Sequence, residues 1–168
     1  MILRFETGPR LGHQKPMSQN KDVIESLQRQ QAGALVLYLN YKKYHWLTFG
    51  PTFRDLHLLF EEHGNLLLAS VDELAERALM VDGRPLADPA KYLAASPVKA
   101  SEGEMTVRAM AEEAAAGHDK LISELHKDAE LANKAGDIGT VDVYTRLVQT
   151  HQKQRWFLKE ILRKDGGL

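Results

Sequence analysis

The sequence predicts an all-α protein: four long helices, with one short extra helix in the connection between the second and the third. Three observations carry this. Apolar residues recur at helical spacing along four long stretches. Breaks at Gly50-Pro51, Gly83-Arg84-Pro85 and Ala135-Gly136 separate those stretches. No segment reads as a strand, which would alternate apolar and polar residues.

The first 17 residues hold two prolines and two glycines and follow no sustained period, so 1–17 reads as an irregular N-terminal arm on a single domain spanning 1–168. Its basic residues Arg4, Arg10 and Lys15 are sparse for a tail that grips DNA, because affinity grows with the number of phosphates neutralised. Ser18 or Asn20 can cap the first helix. Its apolar pattern, Ile24, Leu27, Leu35, Tyr38 and Leu39, runs on through Tyr41 and His45 to about Phe49. Thr52-x-x-Asp55 supplies the start of the second helix, with Leu56, Leu59, Phe60, Leu67, Val71, Leu74 and Ala78 as its buried stripe.

In the connection that follows, DPAKYLAAS offers an Asp cap and a first-turn Pro and predicts the short helix. Ser101-x-x-Glu104 resembles a capping box opening the third long helix, which carries Met105, Ala109, Leu121, Leu125 and Leu131. The fourth begins between Ile138 and Thr140 and continues through Val141, Tyr144, Val148, Leu158 and Leu162. A long interior connection lets the two hairpins pack as one bundle.

Composition narrows the function classes. A chain of 168 residues, 43% hydrophobic and 27% charged, is ordinary for one globular domain. A net charge of −1 gives no global reason to expect nucleic acid. The absence of cysteine removes disulfides, thiolate metal sites and cysteine nucleophiles. No signal-peptide pattern and no long apolar run appears, so a soluble cytoplasmic protein without membrane contact is expected.

The chemistry gathers between His45 and Glu76. Each helical residue advances about 100° and about 1.5 Å. With His57 at zero, Glu61 falls at roughly 40°, Asp72 at roughly 60° and Glu76 at roughly 100° around the second helix. Along the axis, however, His57/Glu61 and Asp72/Glu76 stand roughly 22 Å apart, too far for one metal ion. If two copies packed these helices antiparallel about a two-fold axis, His45, His57 and Glu61 at one hairpin tip could meet the partner's far pair, twice over. Imidazole nitrogen with carboxylate oxygen suits iron or zinc. The plainer alternative is a row of solvated charges on an amphipathic helix. A dinuclear site inside one bundle is disfavoured, because no histidine follows a glutamate by three residues.

The run YHWLTFGPTFRDLHLLFEEH, then VDELAERAL, then HQKQRWFL after GDIGTVD, resembles the Dps family of mini-ferritins (DNA-binding protein from starved cells) over roughly residues 20–165. The resemblance implies a ferritin-like four-helix bundle, assembled as a hollow dodecamer whose metal sites lie at two-fold interfaces. It implies iron(II) oxidation, preferentially with hydrogen peroxide, storage of the ferric mineral inside, and protection from oxidative damage. His45, His57 and Glu61 would come from one subunit, Asp72 and Glu76 from its neighbour. Glu61 departs from the aspartate many members carry there, and its extra methylene could change metal spacing or preference.

Other residues have narrower readings. Trp46 could intercept stray oxidising equivalents or simply pack. Asp137 and Asp142 are candidates for a cation pore, with helix capping favoured for Asp137. His151 follows the fourth helix's apolar stripe and is expected to be a buried, hydrogen-bonded histidine, or else an added ligand. His63 lies roughly 200° around from Glu61, so it joins that site only with local distortion. Extra imidazole at His63 or His151 would favour zinc as a competitor or regulator of iron. His118 and His126 read as surface positions. Two rivals stand beside the ferroxidase: a nucleoid-associated DNA-binding structural protein with little such activity, and a helical assembly module with no metal.

Overall fold

A computed structural model describes residues 17–163 of the chain, so most of the expected N-terminal arm lies outside the described residues. Among those residues there are five α-helices and no strand: α1 (Met17–Leu47), α2 (Phe53–Met80), α3 (Tyr92–Ala95), α4 (Val107–Lys134) and α5 (Ile138–Ile161). A 3-10 turn, Pro89–Lys91, leads directly into α3, and together they are the short helix expected between the hairpins. Asp88 caps it, its carboxylate accepting from the Ala90 amide, with Pro89 in the first turn where its missing N–H costs nothing.

Helices α1 and α2 form one hairpin and α4 and α5 the other, joined face to face chiefly through α1 and α4. Leu56, Phe60, Leu67, Leu74 and Ala78 of α2 are buried as its periodicity predicts, with Leu59 and Val71 partly so. The α1 stripe is different. Leu27 and Tyr41 are buried as expected, but Leu39 is 53% exposed, and Val23, Ala32, Ala34, Val36, Leu37 and Tyr44 are buried as well. Because α1 packs on α2, α3 and α4 together, it is covered over most of its circumference. Even Gln30 and Gln31 are buried, and a single apolar arc cannot describe such a helix.

Those buried polar residues hold the long connection in place. The Gln31 side chain donates to the Leu86 carbonyl at 3.0 Å and accepts from the Leu86 amide at 2.9 Å. About two and a half turns further along α1, Asn40 donates to the Lys99 carbonyl at 2.9 Å and accepts from the Ser101 amide at 2.8 Å. Each is a side-chain amide bonding backbone as a neighbouring strand would.

Two expected caps are elsewhere. Ser18 and Asn20 lie inside α1, where Asn20 donates to the Val81 carbonyl at 3.2 Å. The start of α4 is capped by Thr106, whose hydroxyl accepts from the Ala109 amide, not by a Ser101–Glu104 box. Ser101 accepts instead from Lys43 at 3.0 Å and donates to Glu113 at 2.8 Å. No described helix is long and apolar enough to cross a membrane.

Candidate metal centre

The last turn of α1 and the first turns of α2 meet across a tight tip. Gly50 takes φ 88°, a left-handed conformation that glycine enters without penalty, and its carbonyl accepts from the Phe53 amide at 3.0 Å. This reversal sets His45 and His57 side by side. Nδ1 of His45 lies 2.8 Å from the His57 carbonyl oxygen, and Nδ1 of His57 lies 2.8 Å from the His45 carbonyl oxygen. A carbonyl only accepts, so both Nδ1 atoms carry the proton and both Nε2 atoms keep a free lone pair. The rings stack at 3.7 Å with 25° between planes, and Phe53 leans on His57 at 5.0 Å. His45 is 7% exposed, while His57 and Glu61 are half-buried.

This is the arrangement metal-binding histidines adopt: one nitrogen tied to a carbonyl fixes tautomer and ring direction, the other is left for the ion. The spacing of 45 and 57 carried the pairing, but the carbonyls that lock it are backbone atoms and leave no trace in the residue pattern.

Asp72 and Glu76 are exposed on the same arc of α2, beside a groove toward α5 lined by Glu73, Asp142 and Arg146. Arg146 is shared between Glu73 at 2.6 Å and Asp142 at 3.1 Å, so Asp142 has a cation partner of its own. Among the described residues of one chain, no three His, Asp or Glu side chains come together to hold a metal ion. Among the described residues, the ligand candidates thus fall into two separate groups. On the same face Leu68, between the two groups, and Leu58, beside His57, are each 45% exposed, and Trp46, Leu47 and Phe49 project at the tip, each at least half exposed.

A profile of the ferritin-like domain family matches residues 24–166. DNA protection during starvation protein 1 of Deinococcus radiodurans is 37% identical over 147 residues, covering 83% of this chain and 68% of that protein. The crystal structure of Dps from Thermosynechococcus elongatus is 62% identical with a TM-score of 0.88, covering 90% of this chain and 96% of that one. This chain is a Dps mini-ferritin. The structure of a Dps from Vibrio cholerae, described as a member of a broad superfamily of ferritin-like diiron-carboxylate proteins, is 28% identical with a TM-score of 0.84 over 96% of this chain and all of that one.

Other residues of this Dps chain lie away from the hairpin tip. Nδ1 of His63 is 3.2 Å from the Tyr41 hydroxyl, which is 2.6 Å from Nε2 of His118; Nδ1 of His118 is 2.9 Å from Nδ1 of His151. The four side chains come one each from α2, α1, α4 and α5 and are all buried. Burial, then the charge of Lys153, pushes His63 down to about 4. Burial alone brings His151 to about 4. Burial, then its neighbours His151, His63 and Arg155, drives His118 well below the ordinary range. All three are therefore neutral at physiological pH, held by one another and by Tyr41, and the structure does not bring His63 or His151 together with the five ligand candidates.

His118, expected on the surface, is fully buried. It lies four residues after Ala114 and three before Leu121 on the buried arc of α4, a spacing that would have located it. His126 is exposed as expected. Asp137 caps α5 through the Thr140 amide and also pairs with Arg77. Burial alone would raise its carboxyl, but the Thr140 hydroxyl and amide and the Arg77 guanidinium outweigh this and hold it below its ordinary value. These bonds fit the expected capping role. Trp46 is 68% exposed, with Lys42 Nζ 5.5 Å from its ring, so within one chain it is not a packing residue.

Proposed function

We propose that this Dps protein oxidises iron(II) at sites shared between two copies of the chain, preferentially with hydrogen peroxide, and stores the ferric mineral inside a hollow dodecamer. The observation that carries the reading is the reciprocal His45–His57 clasp, which leaves both Nε2 atoms free, while among the described residues of one chain no three His, Asp or Glu side chains gather to hold a metal ion. The missing carboxylates exist on the same face as Asp72 and Glu76. An antiparallel second copy would supply them, and the exposed Leu58 and Leu68 on that face are the surface such a copy would cover.

Iron is the substrate. His45, His57 and Glu61 of one subunit, with Asp72 and Glu76 of the other, would hold it in a histidine–carboxylate shell of moderate strength, so that ferric product can leave. Two iron(II) ions give up two electrons; peroxide takes these with two protons and leaves as two waters, and no hydroxyl radical is released. Zinc fits the same nitrogen and oxygen donors and would occupy the site without redox chemistry. The ferritin-like diiron-carboxylate description of the Vibrio cholerae relative and the DNA-protection name of the Deinococcus radiodurans relative support this reading. Consuming iron(II) and peroxide together protects DNA without contact, in the cytoplasm where DNA lies.

The test is stopped-flow iron(II) oxidation by peroxide and by oxygen. A His45→Ala/His57→Ala variant should lose at least the roughly 10–100-fold that disturbing even a ligand's supporting bonds costs. Equal rates in wild type and variant would remove the site assignment.

A further inference from the structure

Tyr41 has no part in the proposed ligand set, yet it is the most constrained phenol in the molecule. It is fully buried, and its hydroxyl lies 2.6 Å from Nε2 of His118 and 3.2 Å from Nδ1 of His63. The other tyrosines with a hydroxyl bond meet different partners: Tyr144 meets the Ser26 hydroxyl, and Tyr92 the Leu86 carbonyl and the Gln31 amide. The Tyr44 hydroxyl is buried near Ser101 and Glu113, with no bond of good geometry to either. An imidazole can take a phenol's proton at neutral pH, whereas a backbone carbonyl or a serine hydroxyl cannot.

The protons in the cluster can be ordered consistently. With Nδ1–H of His63 donating to the Tyr41 oxygen, the Tyr41 hydroxyl donates to Nε2 of His118. Nδ1–H of His118 then donates to Nδ1 of His151, so every bond has one donor and one acceptor. Nε2 of neutral His118 is thus the acceptor that faces the Tyr41 hydroxyl, at 2.6 Å. Tyr41 is also close to the iron chemistry. It precedes His45 by one turn on the same face of α1, about 6 Å along the axis. Its ring meets Tyr44 at 5.8 Å and Phe60 at 5.9 Å, an aromatic path toward the hairpin tip.

We propose that Tyr41 is a redox-active residue: a buried one-electron donor that releases its hydroxyl proton to His118 as it is oxidised. The proposal rests on the iron-oxidation reading above and adds an activity to it. It matters when a site holds one iron(II) instead of two, because peroxide needs two electrons to become water and one iron supplies one. Tyr41 supplies the other. The peroxide O–O bond breaks, its oxygens take two protons from solvent and leave as two waters, iron(II) becomes iron(III), and Tyr41 becomes a neutral phenoxyl radical with its proton on Nε2 of His118. A later iron(II) returns one electron to the radical, the proton moves back from His118, and a second iron(III) is formed. A half-filled site thus reduces peroxide fully.

Freeze-quench electron paramagnetic resonance tests this on the assembled protein, loaded with one iron(II) per site, mixed with peroxide, and grown with ring-deuterated or ordinary tyrosine. A tyrosine-derived radical is expected in wild type and in Tyr144→Phe and Tyr92→Phe. It should be lost in Tyr41→Phe and in His118→Gln, which keeps a polar side chain but removes the base. Undiminished signal in Tyr41→Phe or His118→Gln, or a signal on tryptophan alone, overturns the proposal.

Pulse radiolysis of the iron-free protein with azidyl radical separates the two readings. It injects the oxidising equivalent without any metal, and the long-lived phenoxyl absorption should again vanish only with Tyr41 or His118 substituted. Wild type that fails to oxidise iron(II) but passes this second test loses the iron reading and keeps the redox-active tyrosine. The opposite pair of results removes Tyr41 alone.

Discussion

His45 and His57 each bind the other's backbone: Nδ1 of one imidazole donates to the carbonyl of the other residue at 2.8 Å, in both directions, while the two rings stack. The clasp closes the α1–α2 tip without a metal, so both Nε2 atoms are oriented before any ion arrives. Ligands held in advance spare the binding step their ordering cost. Zinc titrated into the assembled protein should bind and block iron(II) oxidation in proportion to occupancy. In His57→Ala, calorimetry should register that binding weakened by roughly 10-fold or more. The same variant should lose only about 1 kcal/mol of stability for the clasp bond its side chain donates. Zinc affinity unchanged in His57→Ala would exclude the tip as the ion's seat.

Sharing between copies predicts complementation. His45→Ala/His57→Ala and Asp72→Asn/Glu76→Gln should each be inactive alone. Unfolded together in equal amounts and reassembled, they should recover about one quarter of the wild-type sites, because half the random pairs are mixed and a mixed two-fold pair has one intact site of two. A mixture as inactive as its components would mean that both ligand groups belong to one chain.

The face between the ligand groups should hold the pair together. Leu68 lies at roughly 20° from His57 around α2, inside the ligand arc. Leu68→Glu leaves the core untouched, so the helical circular-dichroism signal should persist while light scattering reports a much smaller particle. An intact assembly carrying Leu68→Glu would move the contact elsewhere.

The buried histidines predict sensitivity to acid. Unfolded, His63 and His151 take up protons below their ordinary value of 6.5; folded, they do so only near 4. Their contribution is complete above pH 6.5 and shrinks as pH falls toward 4, because there the unfolded chain binds more protons. Each histidine steepens the loss by up to about 1.4 kcal/mol per pH unit. Urea unfolding at about pH 7 and about pH 5 should therefore give a shallower pH dependence in His151→Gln than in wild type. Parallel slopes would show that His151 is not held neutral.

The helices and the ligand arc were legible because both follow from one periodicity. Positions 57, 61, 72 and 76 share a face in any straight helix, and the structure keeps α2 continuous from Phe53 to Met80. What failed had a neighbour the sequence does not display. The α1 stripe predicts Leu27 and Tyr41 but not the exposure of Leu39, because three elements cover that helix, and the Ser101 hydroxyl is held by Lys43 and Glu113 instead of capping α4. His118 belongs to the buried stripe of α4, where a polar side chain disguises its place. The Tyr41 network needed four helices at once, and no single-segment pattern contains it.

The separation of the two ligand groups along α2 has a consequence for timing. On the proposed reading, a newly made or stray subunit is an open circuit: it carries half of one site at one end and half of another at the other. It can complete neither by bending a rigid helix. Iron chemistry then begins only with a second copy in place, and quaternary structure itself serves as the safety catch on a reaction that would harm the cell if it ran in the open.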